Sequence, residues 1–247
     1  VLRRIHTPAL LEGENLLGPA QAHHARAVLR LNDGDEVELF DDEGGSATGV
    51  LRFDGPHGAA VRVERLAAKA VNATRQQWSV ASAVPKGERA DWMVEKLSEL
   101  GARAFIPLAT ARSVVHPEGR NKHDRWVRIA TESAKQSRRP GVMRIDALTP
   151  LAQAVNAVAA GSAPGQSAGW CLSTGDPATP IASAFAGHAC PSLTLFIGPE
   201  GGWTPDELAR MTAAGFLQVR LTHTVLRVET AALAAGAIVA ALSDRLA

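Results

Sequence analysis

The sequence predicts an α/β protein in which a mostly parallel sheet follows a smaller all-β segment. Three patterns carry the prediction. From Gln77 onward, apolar runs alternate with amphipathic stretches, the rhythm of strands joined by helices in a parallel sheet. Before that point the runs Glu36–Phe40, Ala47–Phe53 and Ala59–Leu66 are rich in Val, Leu or Phe and bounded by Asp/Gly turns, and short strands this close together suggest a small barrel. Third, the run Ser192–Ile197 ends in a glycine-rich turn, followed at Thr204-Pro205-Asp206-Glu207 by a helix start with Thr as N-cap, Pro at the first helical position and Glu at the third.

The elements follow in order. One helix, His23–Leu31, interrupts the early strands, and the polar segment Ala67–Gln76 reads as a linker, so a first domain is expected over 1–72 and a second over 73–247. Gln77–Val84 is a strand, and Glu88–Leu100 a helix with Trp92, Met93, Leu97 and Leu100 on one side and Gly101 at its C′ position. Ala104–Leu108 is the next strand, and Lys122–Gln136 a helix turning Trp126, Ile129 and Ala130 inward. Leu151–Ala160 is helical, Ala159–Ser167 is a surface loop, and Gly169–Leu172 and Ser192–Ile197 are buried strands. Leu217–Leu221 is the last strand and Glu229–Leu246 the last helix.

The 247 residues suffice for one large domain or two modest ones, and 46% hydrophobic with 21% charged residues is ordinary for a globular protein. Cys171 and Cys190 fit neither a zinc signature nor a disulfide framework, His116 and His123 read as surface residues, and no metal is expected. VLRRIHTPAL lacks the apolar core of a signal peptide, and a reduced cytosol is the expected compartment. The alanine-rich stretch after Thr230 reads as a packed helix, not a membrane span. The net charge of +1 conceals an asymmetry. Residues 1–70 carry 8 Lys and Arg against 11 Asp and Glu, residues 71–150 carry 14 against 8, and residues 151–247 carry 4 against 6. Basic charge gathered in one segment suits either phosphate binding or a solvated helical face.

Two segments stand out chemically. In Leu195-Phe-Ile-Gly198-Pro199-Glu200-Gly201-Gly202-Trp203 a buried strand runs into three glycines and then a capped helix. Ligands of parallel sheets bind at the carboxyl ends of strands, and glycine lets backbone approach them closely. The spacing is neither a dinucleotide fingerprint nor a P-loop, so hydride transfer and NTP hydrolysis are poorly supported. In Leu221-Thr-His-Thr-Val-Leu-Arg227-Val-Glu229-Thr230-Ala231 a strand passes through a loop into the last helix. Arg227 and Glu229 suit a structural ion pair or a ligand beside the glycine turn. The basic tract Arg112, Arg120, Lys122, Arg125, Arg128, Lys135, Arg138, Arg139 and Arg144 completes the set, with Arg138 and Arg139 at a helix end where cations also suit the dipole.

GPEGGW before a capped helix and LRVETAA opening the final helix resemble the RsmE family of ribosomal RNA uridine-N3 methyltransferases. HHARAVLRLNDGDEVELFD is similar to its N-terminal PUA-like RNA-binding barrel, KGERADWMVEKLSELGARAFIPLATARSVV to the opening of its methyltransferase domain, and RWVRIATESAKQSRR, with Glu132, Gln136 and Arg139, to its basic helix. The resemblance runs along nearly the whole chain. It implies a SPOUT-type α/β fold with a C-terminal trefoil knot, a homodimer, and S-adenosyl-L-methionine (SAM) held by three loops. These contribute Leu172; Ile197, Gly198, Pro199, Glu200, Gly201 and Gly202; and Leu221, Val225, Leu226 and Arg227 with Thr230. Small-subunit ribosomal RNA, free or in the assembled 30S subunit, is the implied partner, contacted by Arg26, Arg30, Arg112, Arg125, Arg138 and Arg139.

The implied chemistry needs the N3 proton of uridine removed and the negative charge on its oxygens stabilised. Because N3 lies on the Watson–Crick edge, the base must be unpaired or flipped. Arg227 is the expected stabilising cation, Arg139 a second, and Glu229 or Glu200 the candidate base. Two departures are visible. Where the family's third loop carries a glycine and, two residues on, an Arg, this chain has Thr222 and Thr224, and a Thr at a glycine position of positive φ is expected to be strained. RRIH also lacks the aromatics common at that point in the family. Two alternatives follow: a related enzyme acting on a tRNA base or ribose, and a non-catalytic RNA-binding ribosome assembly factor, to which the two threonines lend the only support.

Overall fold

The structure, a computed structural model, describes residues 2–55, 58–67, 76–115, 119–161, 166–175, 177–187 and 190–243. The expected linker thus lies almost wholly outside the described residues, as do His116 and the last residues expected in the final helix. Two compact units emerge, Val1–Asn72 with Thr131–Val142, and Ala73–Ala130 with Met143–Ala247.

The first unit is built on strands β1 (Arg3–His6), β2 (Gly13–Leu17), β3 (Glu36–Phe40), β4 (Ser46–Asp54) and β5 (Gly58–Val63), ordered β1-β3-β4-β5-β2. β1 runs parallel to β3, and the other pairings are antiparallel. Alternation places Ile5, Val37, Leu39, Leu51, Val61 and Val63 in one core. β1 and β2 escaped the sequence reading for a physical reason: RRIH offers one apolar side chain, and GENLL buries Asn15, whose amide holds the backbone of Leu11. The early helix begins before its expected start, as α1 (Pro19–His23), and continues as a π-helical turn over His24–Val28. The proline at N1, which has no amide to leave unpaired, sets that start.

The second unit contains β6 (Gln77–Ser82), α2 (Glu88–Glu99), β7 (Ala104–Ala109), most of α3 (Arg120–Ser137), the short β8 (Arg144–Ile145) and β9 (Thr149–Pro150), α4 (Leu151–Ala160), β10 (Ser167–Leu172), β11 (Thr179–Pro180), α5 (Ile181–Gly187), β12 (Ser192–Ile197), α6 (Pro205–Ala213), β13 (Leu217–Arg220) and α7 (Val228–Ser243). The strands are all parallel, in the order β11-β13-β10-β12-β6-β7-β8 with β9 against β7. Two late strands enter between earlier ones: β12 lies between β10 and β6, and β13 between β11 and β10. α7 lies close over the sheet because Gly236 has no side chain; a Cβ there would stand 2.9 Å from the ring of Trp78. On α2, Met93 and Leu97 are buried as expected, but Trp92 is 48% exposed. Adjacent residues of a helix point about 100° apart, so Trp92 cannot share the face of Met93.

Asp91 joins α2 to α3. Its Oδ1 accepts from Trp126 Nε1 at 2.9 Å and from Lys122 Nζ at 3.1 Å, and Arg125 reaches Oδ2 at 2.7 Å. Burial works against the carboxylate, but the hydrogen bonds from Lys122 and Trp126 and the charges of Lys122 and Arg125 outweigh it and hold Asp91 below the usual carboxylate range. A depressed folded-state pKa contributes stability above the unfolded value, about 3.9, that is lost as pH falls through the folded value. Asp91→Asn is therefore expected to lower stability by about 1–2 kcal/mol at neutral pH, since hydrogen bonds to charged groups contribute on that order. It should also flatten the acid limb of the stability curve, and urea unfolding at pH 7 and at successively lower pH checks both.

Candidate active site

A cavity of about 290 Å³ opens at the carboxyl ends of β13, β10 and β12, which are neighbours in the sheet. Its walls come mostly from residues at and just beyond those strand ends, within 172–174, 197–203 and 219–228, joined by Leu208 of α6 and Ala231 of α7. Most of the lining is apolar. Glu200 is the one carboxylate on it among the described residues, and Ser173, Thr174, Thr222 and Thr224 supply hydroxyls.

The glycine turn is fixed from several sides. Gly202, at φ +70°, donates its amide to the Pro199 carbonyl at 2.8 Å and closes the turn. The Trp203 indole lies against Gly198, where a Cβ would come within 3.0 Å of the ring, and its Nε1 donates to the Leu172 carbonyl at 3.0 Å. One side chain thus ties the loop after β12 to the end of β10. The expected capping box is present: Glu207 donates its amide to Thr204 Oγ1 at 3.2 Å, and Thr204 donates its amide to Glu207 Oε2 at 2.8 Å. The other oxygen, Oε1, accepts from the Ala111 amide at 2.8 Å, and Arg112 donates to the Gly201 carbonyl at 2.7 Å. Beneath the turn Cys171 is buried, and burial first, with the Glu207 charge second, pushes its thiol up to about 12. It stays a neutral packing group, with no thiolate to act as nucleophile.

Of the residues expected around a ligand, Leu172, Ile197, Gly198, Pro199, Glu200, Gly202, Leu221, Val225 and Leu226 share this cavity, whereas Gly201, Arg227 and Thr230 are not on its lining. Val225 is 81% exposed at its mouth. Arg227 is exposed between Leu226 and Val228, both lining residues, and its carbonyl accepts the Ala231 amide at the start of α7. Glu229 does not pair with Arg227. It is buried, its Oε1 lies 3.7 Å from Arg89 Nε, and its Oε2 is buried with no hydrogen-bond partner among the described residues. Trp203 and Leu208, which the sequence reading missed, flank the N-cap at the N′ and N4 positions of a hydrophobic staple, a pattern that was available to find them. Ser173 and Thr174 carried no such signal. Thr222 is not among the residues of positive φ, so the expected strain is absent; its Oγ1 instead accepts the Thr224 amide at 3.2 Å.

The arginines expected on RNA have unequal surroundings. Arg125 is paired with Asp91 and Arg112 with the glycine turn. Arg26 lies 4.3 Å over the Phe53 ring and donates to the Gly55 carbonyl. Burial brings Arg139 down to about 10. Arg30 and Arg138 are exposed, each with positive φ. Among the described residues no three His, Cys, Asp or Glu side chains gather as a metal site, and no helix is long and apolar enough to cross a membrane.

Fold and cavity together define a SPOUT-type α/β protein carrying a PUA-like domain. Residues 72–240 match the RNA methyltransferase domain family, and residues 17–64 the RNA methyltransferase PUA domain family. Ribosomal RNA small subunit methyltransferase E of Mycobacterium tuberculosis is 37% identical over 232 residues, 91% of this chain and 85% of the relative. Its Synechocystis counterpart is 34% identical over 237 residues, 95% and 75%. The crystal structure of ribosomal RNA small subunit methyltransferase E from Neisseria gonorrhoeae, bound to S-adenosyl methionine, superposes with a TM-score of 0.81 at 25% identity, over 96% of each chain. The chain belongs to the ribosomal RNA small subunit methyltransferase E family.

Gly198→Ala is expected to displace the Trp203 indole and break its bond to Leu172, at a cost of about 1–3 kcal/mol as for other overpacked sites. Thermal unfolding measures the loss, and a midpoint equal to wild type would show that the ring contact constrains nothing.

Proposed function

We propose that this chain transfers the methyl group of SAM to N3 of a specific uridine in the 16S ribosomal RNA of the small subunit. The observation that carries the reading is the cavity at the carboxyl ends of β10, β12 and β13 in a chain of this family. The cavity suits the cofactor chemically. Apolar walls from Leu172, Ile197, Leu221 and Leu226 fit the faces of an adenine, the nearby hydroxyls and bare glycine backbone fit ribose and amino-acid groups, and Glu200 is a counter-charge for a sulfonium. Bound there, SAM supplies an electrophilic methyl group. The protein's share is to orient the uracil in line with it, exclude water, and manage one proton and one developing charge.

Arg227, on the loop between two lining residues, is the group that stabilises negative charge on the uracil oxygens. The N3 proton passes to a carboxylate. Glu200, on the cavity lining, and Glu229, buried off that lining with no hydrogen-bond partner to its Oε2 among the described residues, are the two candidates. The methyl passes from sulfur to N3, leaving methylated uridine and the demethylated cofactor. Residues 1–72 serve as the RNA-binding domain and 73–247 as the methyltransferase domain. The knotted homodimer implied by the family, acting in the cytosol on free RNA or the assembled 30S subunit, completes the reading. Arg26, Arg30, Arg112, Arg125, Arg138 and Arg139 are the cations assigned to RNA.

SAM at 100 times its dissociation constant is expected to stabilise the protein by about 2.7 kcal/mol, as any ligand confined to the native state must. Arg227→Ala is expected to lower methyl incorporation into 16S RNA by about 10²–10³-fold, the usual cost of removing a stabilising donor. Glu229→Gln should lower it too, with SAM affinity followed separately by calorimetry. Full turnover by both variants would remove these roles, and methylation mapped outside a uridine N3 would overturn the specificity.

A further inference from the structure

The first unit holds a second concavity, a cleft of about 410 Å³ between β1, the π-helical turn and the end of α3. Its size falls in the range of small-ligand sites, roughly 300–1,000 Å³. Arg3, Arg4, Lys135 and Arg138 line it together with His24, and Glu132 is the one carboxylate on the lining among the described residues. Four permanent cations against one anion in a concave space make a site for a negatively charged ligand.

The four cations divide into two that build the cleft and two that remain available. Arg4 is locked: Nε meets Glu38 at 3.1 Å, a second nitrogen donates to the carbonyls of Ala134 and Arg139 at 3.2 Å each, and the guanidinium lies 4.1 Å over the Phe40 ring. Lys135 is held by Glu132 at 2.7 Å. Arg3 is exposed, with no carboxylate in reach among the described residues, and the Arg138 guanidinium donates to the Leu2 carbonyl at 2.9 Å while remaining exposed. Arg138 also has φ +57°, the left-handed conformation that often follows a helix C-terminus, here directly after Ser137. Arg4 and Arg138 lie close enough for their charges to oppose each other: burial sets Arg4 below its ordinary value, Glu38 works against that fall, and the Arg138 charge adds to it. With Arg4 and Lys135 paired inside the chain, the exposed Arg3 and Arg138 leave the cleft a net positive charge that an anionic ligand would balance.

We propose that this cleft grips backbone phosphates of the RNA substrate, with Arg3 and Arg138 as the contacting cations and Arg4 and Lys135 as the rigid wall behind them. Arginine suits the role because its planar fork matches two phosphate oxygens at once. The inference rests on the reading that RNA is the substrate, and it adds a phosphodiester site belonging to the first unit alone.

The experiment measures binding of a single-stranded 16S RNA fragment over a series of KCl concentrations to wild type, Arg3→Gln, Arg138→Asn and the double variant. Asn tolerates positive φ, so Arg138→Asn removes the charge while suiting the backbone, and the ligand-free unfolding midpoint of each variant verifies folding. Each lost phosphate contact should weaken binding several-fold and make the slope of log affinity against log salt shallower by about 0.7, so the double variant should lose about 1.4. A double variant with wild-type affinity and slope overturns the proposal. Stabilisation of wild type by inorganic phosphate, lost in the double variant while RNA affinity stays the same, also overturns it, in favour of a free-anion site. If wild type shows no stabilisation by SAM, the methyl-transfer reading fails, while the RNA titration still decides the cleft.

Discussion

The Trp203 indole resting on the bare backbone of Gly198 is the contact on which the rest of the cavity depends. It needs a glycine where the ring lies, and it carries the Nε1 hydrogen bond to the carbonyl at the end of β10. Because β10 and β12 are neighbours in the sheet, this bond fixes the mouths of two strands against each other. Glu207 extends the fixation. One carboxylate oxygen caps α6 and the other holds the Ala111 amide, so the loop after β7, the glycine turn and the first turn of α6 form one rigid wall. A cavity that must orient a cofactor and a base within a fraction of an ångström needs such a wall, since misplacement costs rate steeply.

The order of strands explains why the cavity lies where it does. The chain lays down β6, β7 and β8 toward one edge, crosses to β10, and then inserts β12 and β13 between strands already in place. Three adjacent carboxyl ends come from segments far apart in sequence, and their loops converge. Ligand sites in open α/β sheets lie outside the carboxyl ends of the strands, where such loops meet. The arrangement creates a compact cavity without requiring a long loop.

Charge is distributed by a different logic. Asp91 uses two of the basic residues of α3, Lys122 and Arg125, to hold α2 to α3, and Arg112 is spent on the Gly201 carbonyl. The positive excess of residues 71–150 is therefore partly structural, and cations at the end of α3 and on β1 gather instead in the cleft of the first unit. Net charge alone does not separate the two roles. Only the partners of each guanidinium do.

The sequence by itself determined the longer strands and helices of the second unit and the nature of its central turn, but not the short β8, β9 and β11 or the helix α5. The strand run Ser192–Ile197, the capping box at Thr204 and Glu207, and the glycines between them are local features, whose physics is settled within a few residues. The same locality limited the reading elsewhere. RRIH carries no periodicity and becomes a strand only because β3 offers it a ladder, and Trp92 faces outward because the core accepted Met93 instead. Arg89 beside Glu229, Arg112 on the glycine turn, and Arg3 and Arg138 lining one cleft are matters of tertiary structure alone. Each depends on residues distant in the chain, brought together by packing that no local pattern encodes.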